Sequence, residues 1–170
     1  DEIGYKGDKL TIVDAQDVID CNETPTTAIR RKKESSLVKA LDILKNDPEV
    51  VGMISAGSTG AVLAGGLFTI GRMEGVKRPA LAPLLPTMTG GQVLLIDCGA
   101  NVDCKPEYLK QFAIMGSLYL KNAYGKENPR VALLNIGVEE EKGNKLSKEA
   151  YQLLKETKEI NFVGNMESRD

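Results

Sequence analysis

Histidine is absent from the 170 residues, and with it the one side chain whose unperturbed pKa suits proton transfer near neutrality. Serine–histidine and cysteine–histidine nucleophile systems are therefore excluded within this chain. Cysteine is scarce. Cys21, Cys98 and Cys104 make an odd count of three in a chain too long to need stapling, so no disulfide framework is implied and a reducing cytoplasm is the expected compartment. Charge of one sign is lacking too: 22 basic against 24 acidic side chains leave a net charge of −2. That balance gives no whole-protein attraction to nucleic acid or to an anionic membrane, and any such partner would have to meet a local patch. The longest apolar stretches, such as residues 131–136, fall far short of the roughly 20 residues needed to cross a bilayer. Nothing at the start reads as a secretory signal.

What is present is a globular composition, 42% hydrophobic in 18.4 kDa, enough for one α/β domain over residues 1–170. The ends, DEIGYKGDKL and GNMESRD, show no clear finishing element, and a longer parent polypeptide is expected. Short apolar runs at 9–14 (KLTIVD), 50–55 (VVGMIS), 93–97 (VLLID), 131–136 (VALLNI) and 160–163 (INFV) read as buried strands of a parallel sheet covered on both faces. Helical periodicity lies between them at 35–45, 107–124 and 147–158. Strand and helix alternate, which predicts an α/β sheet with ligands at the carboxyl ends of its strands. The unusual residues fall there.

The first such loop, SAGSTGAVLAGG at 55–66, sets Gly57 and Gly60 at a strand-to-helix turn with Ser58 or Thr59 as a cap. It is either an anion site made from open amides at a helix start or simply a capped helix with glycines for close packing. It matches neither the Gly-Lys-Ser/Thr phosphate loop nor the Gly-x-Gly-x-x-Gly fingerprint. Upstream, TPTTAIRRKK at 24–33 carries Arg30, Arg31, Lys32 and Lys33 in a row: a solvated surface, a docking face for an acidic partner, or one arginine turned to a phosphate. The stretch RPALAPLLP at 78–86 has too many prolines for a helix interior or a central strand, which leaves an edge strand or the wall of an apolar groove.

The densest stretch is DCGANVDCKP at 97–106. As a metal site it fails for want of ligands: there is no histidine, Cys21 lies far away, and the Cys98–Cys104 gap is not Cys-x-x-Cys. No metal is expected. What remains is a Gly-Ala-Asn-Val-Asp turn after a strand, then Lys105, then Pro106 opening a helix at its favoured position. Lys105 and the neighbouring amides would face the same sheet edge as Gly57 to Gly60, so that a phosphate could be held between them.

These segments carry a family. SAGSTGAVLAGGLFTIGRMEGVKRPALAPLLPT, DCGANVDCKPEYLKQFAIMGSLYL and NPRVALLNIGVEEEKGNKLSKEAYQLLKE, in consistent order from Lys9 onward, resemble the bacterial phosphate acyltransferases of phospholipid synthesis, the PlsX family. The resemblance covers only the middle of the family's chain. It implies acyl transfer from acyl carrier protein to inorganic phosphate, and a three-layer α/β/α fold with a mainly parallel sheet like that of isocitrate and isopropylmalate dehydrogenases. It also implies a cytoplasmic homodimer, peripheral membrane association through parts not in this chain, and no metal or organic cofactor. Ser58 stands where the family commonly has Asn, and Cys98 and Cys104 stand where it has small apolar residues. The roles expected on this basis are Lys105 on phosphate, Asn101 hydrogen bonding phosphate or carbonyl, and Asp103 orienting Lys105. The Gly57 to Gly60 amides would complete the anion site, with Ser55 and Thr59 as hydroxyl donors and Arg30 and Arg31 reaching toward it. Lys32 and Lys33 are expected to meet the acidic carrier protein. Related readings are a phosphate acetyltransferase, a dehydrogenase of similar fold, or a non-catalytic phosphate-binding fragment.

Overall fold

The computed structural model describes residues 9–169, and packing divides the chain into two compact units, Asp1–Gly71 and Arg72–Asp170. The first contains helices α1 (Pro25–Arg31), α2 (Ser36–Asn46) and α3 (Thr59–Gly65), the last continuing into a π-helical turn, Gly66–Ile70. Helix α1 begins on Pro25, whose missing amide is no loss in a first turn, and ends on Arg30 and Arg31, cations at the negative end of the helix dipole. Half of the basic run is therefore the exposed last turn of a helix that the sequence analysis did not predict. Helix α2 starts where Ser35, only 1% exposed, accepts a hydrogen bond from the Val38 amide. Ile29, Val38, Ala61 and Ala64 form the core, with Ile19 and Leu37 packed against it. Helix α3 comes so close that a Cβ on Gly65 would collide with Leu41 Cδ1 and lie 3.2 Å from Ile29 Cδ1, so any larger residue there needs buried Leu41 to shift.

Two predicted strands fall in this unit and neither forms. Residues 9–14 and 50–55 carry no β ladder, and their apolar side chains face solvent: Ile12 is 80%, Val51 98% and Ile54 101% exposed. A strand exists only by pairing, and no described segment lies alongside either run to supply a ladder.

The second unit is α/β: β1 (Leu84–Pro86), β2 (Gln92–Leu94), α4 (Pro106–Tyr124), β3 (Arg130–Leu134), α5 (Lys145–Lys155) and β4 (Asn161–Met166). Strands β3 and β4 pair in parallel around α5, with a register shift between Val131 and Leu133. Phe112 on α4 and Ala150 and Leu154 on α5 are buried to within 2% of full burial and supply the core between these helices. Helix α5 begins two residues before its predicted start because Asn144, not Ser147, is the cap; its side chain accepts from the Ser147 amide at 3.0 Å.

Among the described residues the strands form two separate pairs, β3–β4 parallel and β1–β2 antiparallel. The proline-rich stretch 78–86 shapes the antiparallel pair. Pro79, Pro83 and Pro86 supply no amide, so this segment pairs along one side only, and it does so as a hairpin, with Leu84 opposite Leu94 and Pro86 opposite Gln92. The edge-strand alternative for this stretch is the one observed. Beyond β2 the pairing continues irregularly, the Leu95 amide donating to the Pro83 carbonyl and the Cys98 amide to the Leu81 carbonyl, which delivers residue 97 to the end of the hairpin.

Candidate functional site

Asp97 organises the 97–106 loop. Its Oδ1 accepts from the amides of Leu81 at 2.8 Å and Ala100 at 3.2 Å, while Oδ2 accepts from the Asn101 amide at 2.8 Å and Asn101 Nδ2 at 3.0 Å. An aspartate followed by small residues turns the chain back onto its own carboxylate in this way. Partial burial would by itself push the Asp97 pKa up; the hydrogen bonds from Leu81, Asn101 and Ala100 outweigh it and hold the carboxyl below its ordinary value. The group is a carboxylate at neutral pH.

Asn101 is committed by the same network. Its Nδ2 donates to the Pro79 carbonyl at 2.8 Å as well as to Asp97, so both of its amide hydrogens are used and its orientation is fixed by two acceptors. The group left over is Oδ1, an acceptor, and the amides of Ala100 and Asn101 turn inward to Asp97 rather than outward to a ligand. The sequence analysis gave no role to Asp97 or Pro79. The available signal was an acid at a strand end followed by Gly-Ala-Asn, small residues able to turn their amides back onto it.

Lys105 follows as the residue preceding α4, in extended conformation at φ −105° and ψ 156°, with Pro106 in the first turn. Its side chain is exposed, as is that of Asp103, and no salt bridge joins them among the described residues. A second cation lies nearby: the guanidinium of Arg78 sits over the ring of Tyr108, 5.8 Å from its centroid, one turn into α4. The cysteines are free, Cys98 exposed and Cys104 half-buried. Burial pushes the Cys104 thiol up, and the charge of Asp97 adds to it while Arg78 opposes it, so Cys104 is a poor nucleophile at neutral pH. Among the described residues no group of three or more His, Cys, Asp or Glu is placed to hold a metal ion.

In the other unit, the 55–60 loop is a capped helix start. Ser58 Oγ accepts from the Ala61 amide at 3.3 Å, and the Gly57 amide donates to Ser55 Oγ at 3.2 Å. Thr59 and Gly60 form the first turn of α3. In the basic run, Lys32 is occupied, its Nζ donating to the Val18 carbonyl at 2.6 Å and pairing with Glu23. Arg30 lies over the Phe68 ring at 5.0 Å. Arg31 and Lys33 are exposed.

The fold and this loop define an α/β protein that offers cations at a strand-to-helix turn tied together by the hydrogen bonds of a half-buried carboxylate, an arrangement suited to an anionic substrate. Comparison with known proteins narrows the class. The family described as "Fatty acid synthesis protein" matches residues 4–170, and the chain belongs to that family. Proteins named phosphate acyltransferase are similar along it: one from Clostridium botulinum (strain Alaska E43 / Type E3) is 57% identical over 97% of this chain and 49% of its own length. Another, from Clostridium novyi, is 57% identical over 98% of this chain and 49% of its own; one from Halothermothrix orenii is 53% identical, again over 98% and 49%. The resemblance read from the motifs is thereby shown. The chain spans about half the length of the curated relatives it matches.

Proposed function

We propose that the full-length protein moves a fatty acyl group from acyl carrier protein to inorganic phosphate, giving an acyl phosphate for phospholipid synthesis. The observation that carries this reading is the name phosphate acyltransferase, shared by relatives 52–57% identical to the chain. In the reaction an oxygen of hydrogen phosphate attacks the thioester carbonyl, the carbon–oxygen bond forms, and the carbon–sulfur bond breaks. The proton shed by the phosphate goes to the departing thiolate. Hydrogen phosphate is already an anion at neutral pH, which agrees with a chain that has no histidine to act as base.

Lys105, exposed and without an ion-pair partner among the described residues, binds the phosphate and offsets charge that develops on the carbonyl oxygen. Asp103 orients Lys105 once phosphate is present. Asn101, its donors committed, contributes by holding the loop, and its Oδ1 can accept from a substrate donor. In the first unit the Thr59 and Gly60 amides form a second anion-binding element, with Ser55 and Thr59 as hydroxyl donors and Ser58 as the cap that keeps them open. Arg30 and Arg31 add positive potential, and Lys33 with the partly occupied Lys32 meets the acidic carrier protein.

For the whole protein the proposal includes the α/β/α fold of the isocitrate dehydrogenase kind, a cytoplasmic homodimer, and peripheral membrane contact through parts outside this chain. Among the described residues no helix is long and apolar enough to cross a membrane. The test is phosphorus NMR of the full-length protein with acyl carrier protein substrate and phosphate. An acyl phosphate resonance that requires both substrates is expected. Acyl release that proceeds equally without phosphate would sink the reading.

A further inference from the structure

The hydrogen bonds of Asp97 and Asn101 do more than shape their own loop. They reach back across the hairpin to the Leu81 amide and the Pro79 carbonyl, and the Cys98 amide donates to the Leu81 carbonyl at 3.0 Å. Residues 79–81 are thus clamped to residues 97–101 from both strands. The residue that enters this clamp is Arg78. Its guanidinium is exposed, has no carboxylate partner among the described residues, and is steadied from one side by the ring of Tyr108. Tyr108 belongs to the first turn of α4, its amide donating to the Lys105 carbonyl at 2.9 Å. The charge of Arg78 is also felt at Cys104, the residue before Lys105. A planar guanidinium held over Tyr108, three residues past Lys105, with no carboxylate on its fork of donors among the described residues, matches the bidentate geometry of a phosphoryl group.

We infer that Arg78 is a phosphoryl-binding residue of the Lys105 loop, brought there by Asp97 and Asn101 acting as positioning residues. This rests on the proposed phosphate acyltransferase reading and extends it to a side chain outside the 97–106 loop. Two phosphoryl groups are available in that reaction, the inorganic phosphate and the phosphodiester of the carrier's prosthetic arm.

Steady-state kinetics of the full-length protein decide the matter. Arg78→Met is expected to raise the KM for one of the two substrates about tenfold or more, as expected when a charged hydrogen-bonding group is lost, and Arg78→Lys to recover part of it, because charge remains while the fork is gone. A rise confined to phosphate assigns the inorganic co-substrate; a rise confined to the carrier assigns the phosphodiester. Asp97→Asn should raise the same KM, and the double variant should lose less than the product of the two single effects, since part of each change removes the same contact. Arg78→Met with both KM values within about twofold of wild type, below the loss expected of a charged contact, overturns the inference. Wild-type protein that forms no acyl phosphate sinks the underlying reading instead, so the two failures are distinguishable.

Discussion

Asp97 carries the clearest residue-scale consequence. Its carboxyl pKa is held below the ordinary carboxylate value by hydrogen bonds present only in the folded loop, so the unfolded chain takes up the proton first as pH falls. The stabilisation is complete above the unfolded value of about 3.9 and is lost as pH drops through the lower folded value. Acid titration of the chain, followed by circular dichroism, should show wild type losing stability below about pH 4; Asp97→Asn should be less stable at neutral pH and show a shallower acid dependence. Identical acid limbs would deny Asp97 this role. The loop's contents were legible from sequence and its wiring was not. Asn101, Asp103 and Lys105 stand out in DCGANVDCKP by residue type. That Asn101 spends its donors on Pro79 and Asp97 depends on a segment some 20 positions upstream folding against it, which no local pattern announces.

At the scale of elements, caps and close approaches make the strongest predictions. Ser35 is buried, accepts from the Val38 amide and donates to the Lys32 carbonyl at 2.8 Å. Ser35→Ala should cost about 1–2 kcal/mol, read as a lower urea midpoint at constant m-value. Gly65→Ala would drive a methyl group against Leu41 and Ile29 and should cost about 1–3 kcal/mol by overpacking; a neutral result would mean that α2 and α3 can separate without penalty. Helices were the most legible elements. Those predicted at 35–45 and 107–124 match α2 and α4 to within one residue, because their apolar stripes and caps are local signals. Helix α1, seven residues long with only Ala28 and Ile29 buried and no side-chain cap, is too short to show an apolar period, so the pattern does not announce it. Strands fared worse. Their apolar runs say that a segment is fit for burial, whereas a ladder needs a neighbour, and residues 9–14 and 50–55 have none among the described residues.

At the scale of the whole molecule, the family covers the chain from residue 4, and neither Lys105 nor Arg78 has a carboxylate partner among the described residues. Exposed Lys33, in a run where Lys32 is tied to Glu23, predicts a screened interaction with an acidic carrier. Lys33→Ala in the full-length protein should flatten the salt dependence of the carrier's KM while leaving the KM for phosphate near wild type; an unaltered dependence would return Lys33 to solvated surface. The central claim is that the 97–106 loop binds the phosphate that accepts the acyl group. It is tested most directly by titrating phosphate against Lys105→Met in the full-length protein, with acyl phosphate formation as the readout. The variant should lose about tenfold to a hundredfold in kcat/KM for phosphate, as expected when one charged contact goes; an unchanged rate at low phosphate would remove Lys105 from the site.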